Sequence, residues 1–68
     1  MEFASYKKFE IVGTSPHSLS DAIVNAVEKA TQIEPTSAWF EVAEIRGRVH
    51  NGAIQQFQVT LRIGAKLE

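Results

Sequence analysis

Ala53-Ile54-Gln55-Gln56-Phe57-Gln58-Val59-Thr60-Leu61-Arg62-Ile63-Gly64-Ala65-Lys66-Leu67 is the stretch whose reading decides the fold. Phe57, Val59, Leu61, Ile63, Ala65 and Leu67 alternate with Gln56, Gln58, Thr60, Arg62, Gly64 and Lys66. A period of two puts the first set on one face of a β-strand and the second on the other. At ~3.3 Å per residue the run spans roughly 45–50 Å, against the ~5–6 residues of an ordinary strand. Something must cover so long an apolar row.

Upstream, Asn51-Gly52 is a strong two-residue hairpin signal, so a second long strand, Trp39–His50, pairs with the first. Its apolar phase slips: Phe40 and Val42 share a face, but the later apolar positions are Ile45 and Val49. A bulge between Ala43 and Gly47 reconciles the halves. Before this strand the period changes to that of a helix. Leu19, Ala22, Ile23, Ala26, Val27, Ala30 and Ile33 line one side, with Asp21, Asn25, Glu28, Lys29 and Gln32 opposite. Pro35 predicts a stop near Ile33. Either Ser15 before Pro16 or Ser18 before Asp21 can cap the start. Tyr6–Val12 reads as a first strand after a loose Met1–Ser5, and Gly13-Thr14-Ser15-Pro16 as the turn into the helix. The order is strand, helix, strand, strand, in one α+β domain over residues 1–68.

The composition narrows the classes. The 68 residues include no cysteine, which rules out disulfides and thiolate metal sites and suits the cytoplasm. A net charge of −1 gives no reason to expect nucleic acid. No apolar run is long enough for a membrane span, and Met1–Lys8 has no signal-peptide core. The helix, roughly 25 Å long at ~1.5 Å per residue, covers about half of the hairpin. With Phe40, Val42 and part of the Phe57–Leu67 row beneath it, the remaining apolar ribbon needs other copies of the chain to close over it. A symmetric homo-oligomer is the expected state.

Catalytic groupings are scarce. Ser15 and His17 lack a carboxylate partner and read as a cap and a surface imidazole. His50 is far from His17 in sequence, too little for a metal. Glu41 and Glu44 fall on opposite faces of a regular strand, which argues against an acid/base pair. Gly13-Thr14-Ser15 lacks the spacing and lysine of a phosphate loop. Trp39 is more informative. It is out of phase with Phe40 and Val42, so it turns away from the helix, where an indole either fills an interface or forms a platform for a flat ligand. Gln58, on the polar face of the neighbouring strand, can donate and accept as a heterocycle edge requires.

At these residues the chain resembles the dodecins, small flavin-binding proteins of bacteria and archaea. The matching stretches are Ile11-Val12-Gly13-Thr14-Ser15-Pro16, Trp39-Phe40-Glu41-Val42, Glu44-Ile45-Arg46-Gly47, Phe57-Gln58-Val59-Thr60, Gly64 and Leu67-Glu68. The resemblance implies a three-stranded antiparallel sheet wrapping one helix, assembled as a hollow homododecamer. It implies that Trp39 stacks on a flavin, FMN or riboflavin, at a two-fold interface, with a symmetry-related pair of tryptophans around two flavins. It gives Gln58 the pyrimidine edge of the ring and places Arg46 close by. The implied role is storage and photoprotective sequestration, not turnover. Some bacterial members also hold coenzyme A, which the resemblance does not by itself extend to this chain. Where the family often has an aromatic and an arginine before the closing leucine, this chain has Ala65 and Lys66, which bears on assembly and on any phosphate-bearing ligand there. The alternatives are an oligomer of the same fold that binds no flavin, and, further off, an enzyme that uses one.

Overall fold

A computed structural model describes residues 3–67; Met1 and Glu2 of the expected loose start, and Glu68 of the closing motif, lie outside the described residues. The elements are β1 (Tyr6–Ser15), α1 (Leu19–Ile33), β2 (Ser37–His50) and β3 (Ala53–Lys66). They form one antiparallel sheet in the order β1-β3-β2. The alternating stretch is therefore the central strand, the only place where both of its edges can be paired. Its inner row is the core: Val59, Leu61 and Ala65 are fully buried and Ile63 nearly so.

Helix α1 lies on this row with Ala22, Ala26 and Ala30 buried against Val59, Leu61 and Ile63. Alanine lets the helix axis come close, and Gly13 carries this further. A Cβ on Gly13 would collide with the Ala22 carbonyl oxygen and would stand 2.6 Å from the Ala26 Cβ. Gly13 thus belongs to the packing of β1 under the helix, and β1 runs on to Ser15 instead of turning after Val12. The turn comes later. Ser15 Oγ accepts from the His17 amide at 2.9 Å, and Ser18 is the N-cap, its Oγ accepting from the Asp21 amide at 3.0 Å. Of the two caps the sequence offers, Ser18 caps the helix and Ser15 holds the turn before it. At the other end the Glu34 amide donates to the Ala30 carbonyl, and Pro35 prevents another turn.

The helix sits over β1 and β3 and barely reaches β2, so the expectation that it covers Phe40 and Val42 fails. They are 47% and 43% exposed. The helix lies mainly over β1, to which it is joined by a short turn, and next over the central β3. The hairpin β2–β3 extends beyond it, giving a molecule 55 Å long and 19 Å by 15 Å across. On the uncovered inner face Leu19, Ile45, Val49, Ile54 and Phe57, with Arg46, Gly47 and Arg48 at its wall, line a groove of about 350 Å³. The expected bulge falls at Ala43, between Val42 and Glu44, and two further irregularities lie at Ala38 and Gln55. Asn51 (φ 51°) and Gly52 (φ 78°) form the turn, both in the left-handed region that a tight hairpin demands.

Candidate functional site

The outer face of the sheet is largely polar, with Val12 exposed on β1, and at one end the row Trp39–Gly64–Lys8 crosses all three strands. The indole lies flat over Gly64. A Cβ on that glycine would fall onto the Cε2 and Cζ2 atoms of the ring and 2.6 Å from Cδ2. Beyond Gly64 the indole reaches β1. The Tyr6 ring stands 6.0 Å away centroid to centroid, tilted by 52°, and the Lys8 ammonium 5.9 Å from the indole centroid. Lys8 is anchored by Glu41 at 2.9 Å; that hydrogen bond, and then the ammonium charge, hold the Glu41 carboxyl below its ordinary value. One ring face rests on the sheet and the edge meets Tyr6. The residue remains 41% exposed.

Gln58 and Arg46 form another row of the same face. They are direct cross-strand partners, continued on β1 by Thr14. The Gln58 amide nitrogen donates to Gln56 Oε1 at 2.8 Å. One N–H and the carbonyl oxygen remain for a ligand edge. Arg46 Nη2 donates to both oxygens of Glu44, at 3.1 and 3.2 Å. Gly64 lies six positions along β3 from Gln58, which at ~3.3 Å per position is about 20 Å. The structure thus brings Gln58 and Arg46 together and leaves Trp39 apart, too far for one tricyclic ring to touch both ends.

The bulge at Ala43 overturns the expectation that Glu41 and Glu44 face opposite ways. Their partners Arg62 and Thr60 share the outer face, so the glutamates do too. They are nevertheless engaged separately, Glu41 by Lys8 and Glu44 by Arg46. Sequence reasoning missed Tyr6, Lys8, Gln56 and Gly64 as neighbours of the site. Gly64 was the most accessible of these, since stepping back from the Asn51-Gly52 turn sets it opposite Trp39.

The fold has close counterparts. The family model for dodecin matches residues 5–68. The chain belongs to the dodecin family. A dodecin from Thermus thermophilus is 43% identical over 63 residues, covering 93% of this chain and 91% of that one. The solved dodecin from Streptomyces davaonensis superposes with a TM-score of 0.92 at 39% identity, over 98% of both chains. That from Streptomyces coelicolor gives 0.92 at 40%, over 100% of this chain and 97% of the other. Dodecins are non-catalytic flavin-storage proteins that assemble as hollow dodecamers, and this chain shares that function and assembly. Its ligand is a flavin, FMN or riboflavin, which sets aside the alternatives of a flavin-free oligomer and of an enzyme. Among the described residues no helix is long and apolar enough to cross a membrane.

Proposed function

We propose that each flavin site is built from two copies of the chain. Trp39 of one supplies the stacking face, and Gln58 of a neighbour, with Arg46 beside it, supplies the polar contacts. The carrying observation is the geometry of one outer face: an indole backed by Gly64 and still 41% exposed, and, about 20 Å from Gly64 along β3, a glutamine with free donor and acceptor. The residues fit a flat heterocycle with a hydrogen-bonding edge. A two-fold pair of such indoles encloses two stacked rings, and Gln58 gives one hydrogen bond and takes another at each pyrimidine edge. Bound flavin supplies the light-absorbing ring; the indole's part is to stack on it and quench its excited state. Coenzyme A forms no part of the proposal. We also place the assembly in the cytoplasm, in keeping with a chain of 68 residues without cysteine; fractionation that finds it elsewhere would overturn this.

Mixed assemblies test the shared site. Trp39→Ala and Gln58→Leu should each weaken riboflavin binding in the assembled protein. For Gln58→Leu the loss is about tenfold or more, since an unpaired buried polar group costs roughly 1–3 kcal/mol. When the two variants are unfolded together and reassembled in equal amounts, about a quarter of the sites draw an intact Trp39 and an intact Gln58 from different subunits. Fluorescence titration should find that fraction binding tightly. No recovery in mixed dodecamers would mean that both residues act from one chain, or that they do not share a site.

A further inference from the structure

Every other described residue of the outer row of β3, namely Gln56, Gln58, Thr60, Arg62 and Lys66, carries a side chain. Gly64 alone has none, and it sits directly opposite Trp39. Its backbone does not require glycine, since Gly52 is the only described glycine with positive φ. A strand glycine of ordinary conformation marks a close approach, and here what approaches is the indole, which occupies the space of the missing Cβ. Gly64 is itself buried beneath the ring. We infer that Gly64 is a positioning residue for the flavin site. It sets how low the indole lies, and so fixes the height and tilt of the stacking plane before ligand arrives. Tyr6 at 6.0 Å and the Lys8–Glu41 pair limit the ring at its margin, so the platform is pre-organised in the free protein. A side chain at residue 64 lifts the indole off the sheet into the space the flavin ring would take. This inference rests on the reading of Trp39 as the stacking face.

The test is Gly64→Ala beside Trp39→Ala and the double variant, all as assembled protein. Trp39 is the only tryptophan, so its near-ultraviolet circular dichroism, and the ring-current shifts it imposes on Tyr6 and Lys8, report the indole without ligand. Both signatures should change in Gly64→Ala. Riboflavin should bind about tenfold more weakly, the loss of one aromatic stack. If Gly64→Ala keeps the parent's spectra and affinity while Trp39→Ala binds weakly, the role of Gly64 is refuted and the flavin site stands. If Trp39→Ala also binds like the parent, the stacking site itself is refuted. Should Gly64→Ala fail to assemble, the double variant decides. With the indole gone, alanine at residue 64 should be tolerated and assembly restored, whereas continued failure would show that Gly64 serves something other than Trp39.

Discussion

Trp39→Ala offers the most direct measure of the platform, and its size can be worked from the structure. The residue is 41% exposed in the free chain. Taking a large aromatic surface as ~250 Å², that is about 100 Å² available to a ligand. At ~25 cal/mol per Å² its burial is worth about 2.5 kcal/mol, and ring stacking adds about 1 kcal/mol. Losing most of this gives about 3 kcal/mol, or about a hundredfold in Kd. The fold should tolerate the change, because the indole lies on the face opposite Leu61, Val59 and the helix. Titration of riboflavin at matched dodecamer concentration, following quenching of its emission, gives both affinity and residual brightness. Weaker binding with brighter bound flavin is expected, and Trp39→Phe should fall between. An assembled Trp39→Ala dodecamer that binds within a factor of three of the parent would refute the placement of the ligand on this indole.

Two further outcomes follow from packing and charge. Leu61→Ala removes a fully buried side chain at the centre of the core; it should cost about 2–5 kcal/mol, read from denaturation at fixed subunit concentration, and a loss below about 1 kcal/mol would contradict the core assignment. Glu34 and Glu41 are both held below the ordinary carboxylate value of 4.5, chiefly by hydrogen bonds from Lys7 and Lys8 and then by their charges. A depressed folded-state value means stabilisation that is present above the ordinary value and lost as pH falls through the lowered one. The double variant Glu34→Gln/Glu41→Gln should therefore differ from the parent at neutral pH and converge with it well below pH 4; a difference that grows towards acid would reverse the assigned sign. Both pairs are exposed, so the effect should be small and salt-sensitive.

The elements were legible because each has a period or a punctuation mark of its own. Leu61 and Val59 announce the core strand by alternation, the alanines at helical spacing announce the face of α1, and Asn51-Gly52 announces the turn. What could not be read were departures from regular register. Counting back from His50 opposite Ala53, one residue per strand, sets Arg46 opposite Phe57. The extra residue Gln55 shifts the pairing by one, so that Arg46 meets Gln58 instead. The extra residue Ala43 then restores it, and Trp39 meets Gly64 as plain counting would have it. The phase slip at Ile45 reveals the bulge at Ala43, because apolar residues mark it. Nothing marks Gln55, which stands beside another glutamine. The position of the helix was also hidden, since amphipathicity says which side of α1 is buried but not which strands lie beneath it.

The two bulges bear on the site itself. Between them the residues of β2 and β3 are offset by one from their register at either end, and this offset segment holds both Arg46 and Gln58. Without the offset Gln58 would lie opposite Ile45, a residue of the inner apolar face, and would have no arginine beside it. The strand direction is kept while one polar pair is re-aimed, which is the use to which bulges are put near binding sites. The same strand that buries Val59, Leu61 and Ile63 on one face therefore presents, on the other, Gln58 at one end and the glycine floor of the indole at the other. A strand of ordinary length could not hold both. Its length, which leaves apolar surface uncovered, also sets Gln58 and Gly64 about 20 Å apart, so that on the shared-site proposal neither half binds flavin until a second copy arrives. On that proposal storage of flavin and self-association depend on a single structural feature, the 14-residue strand β3.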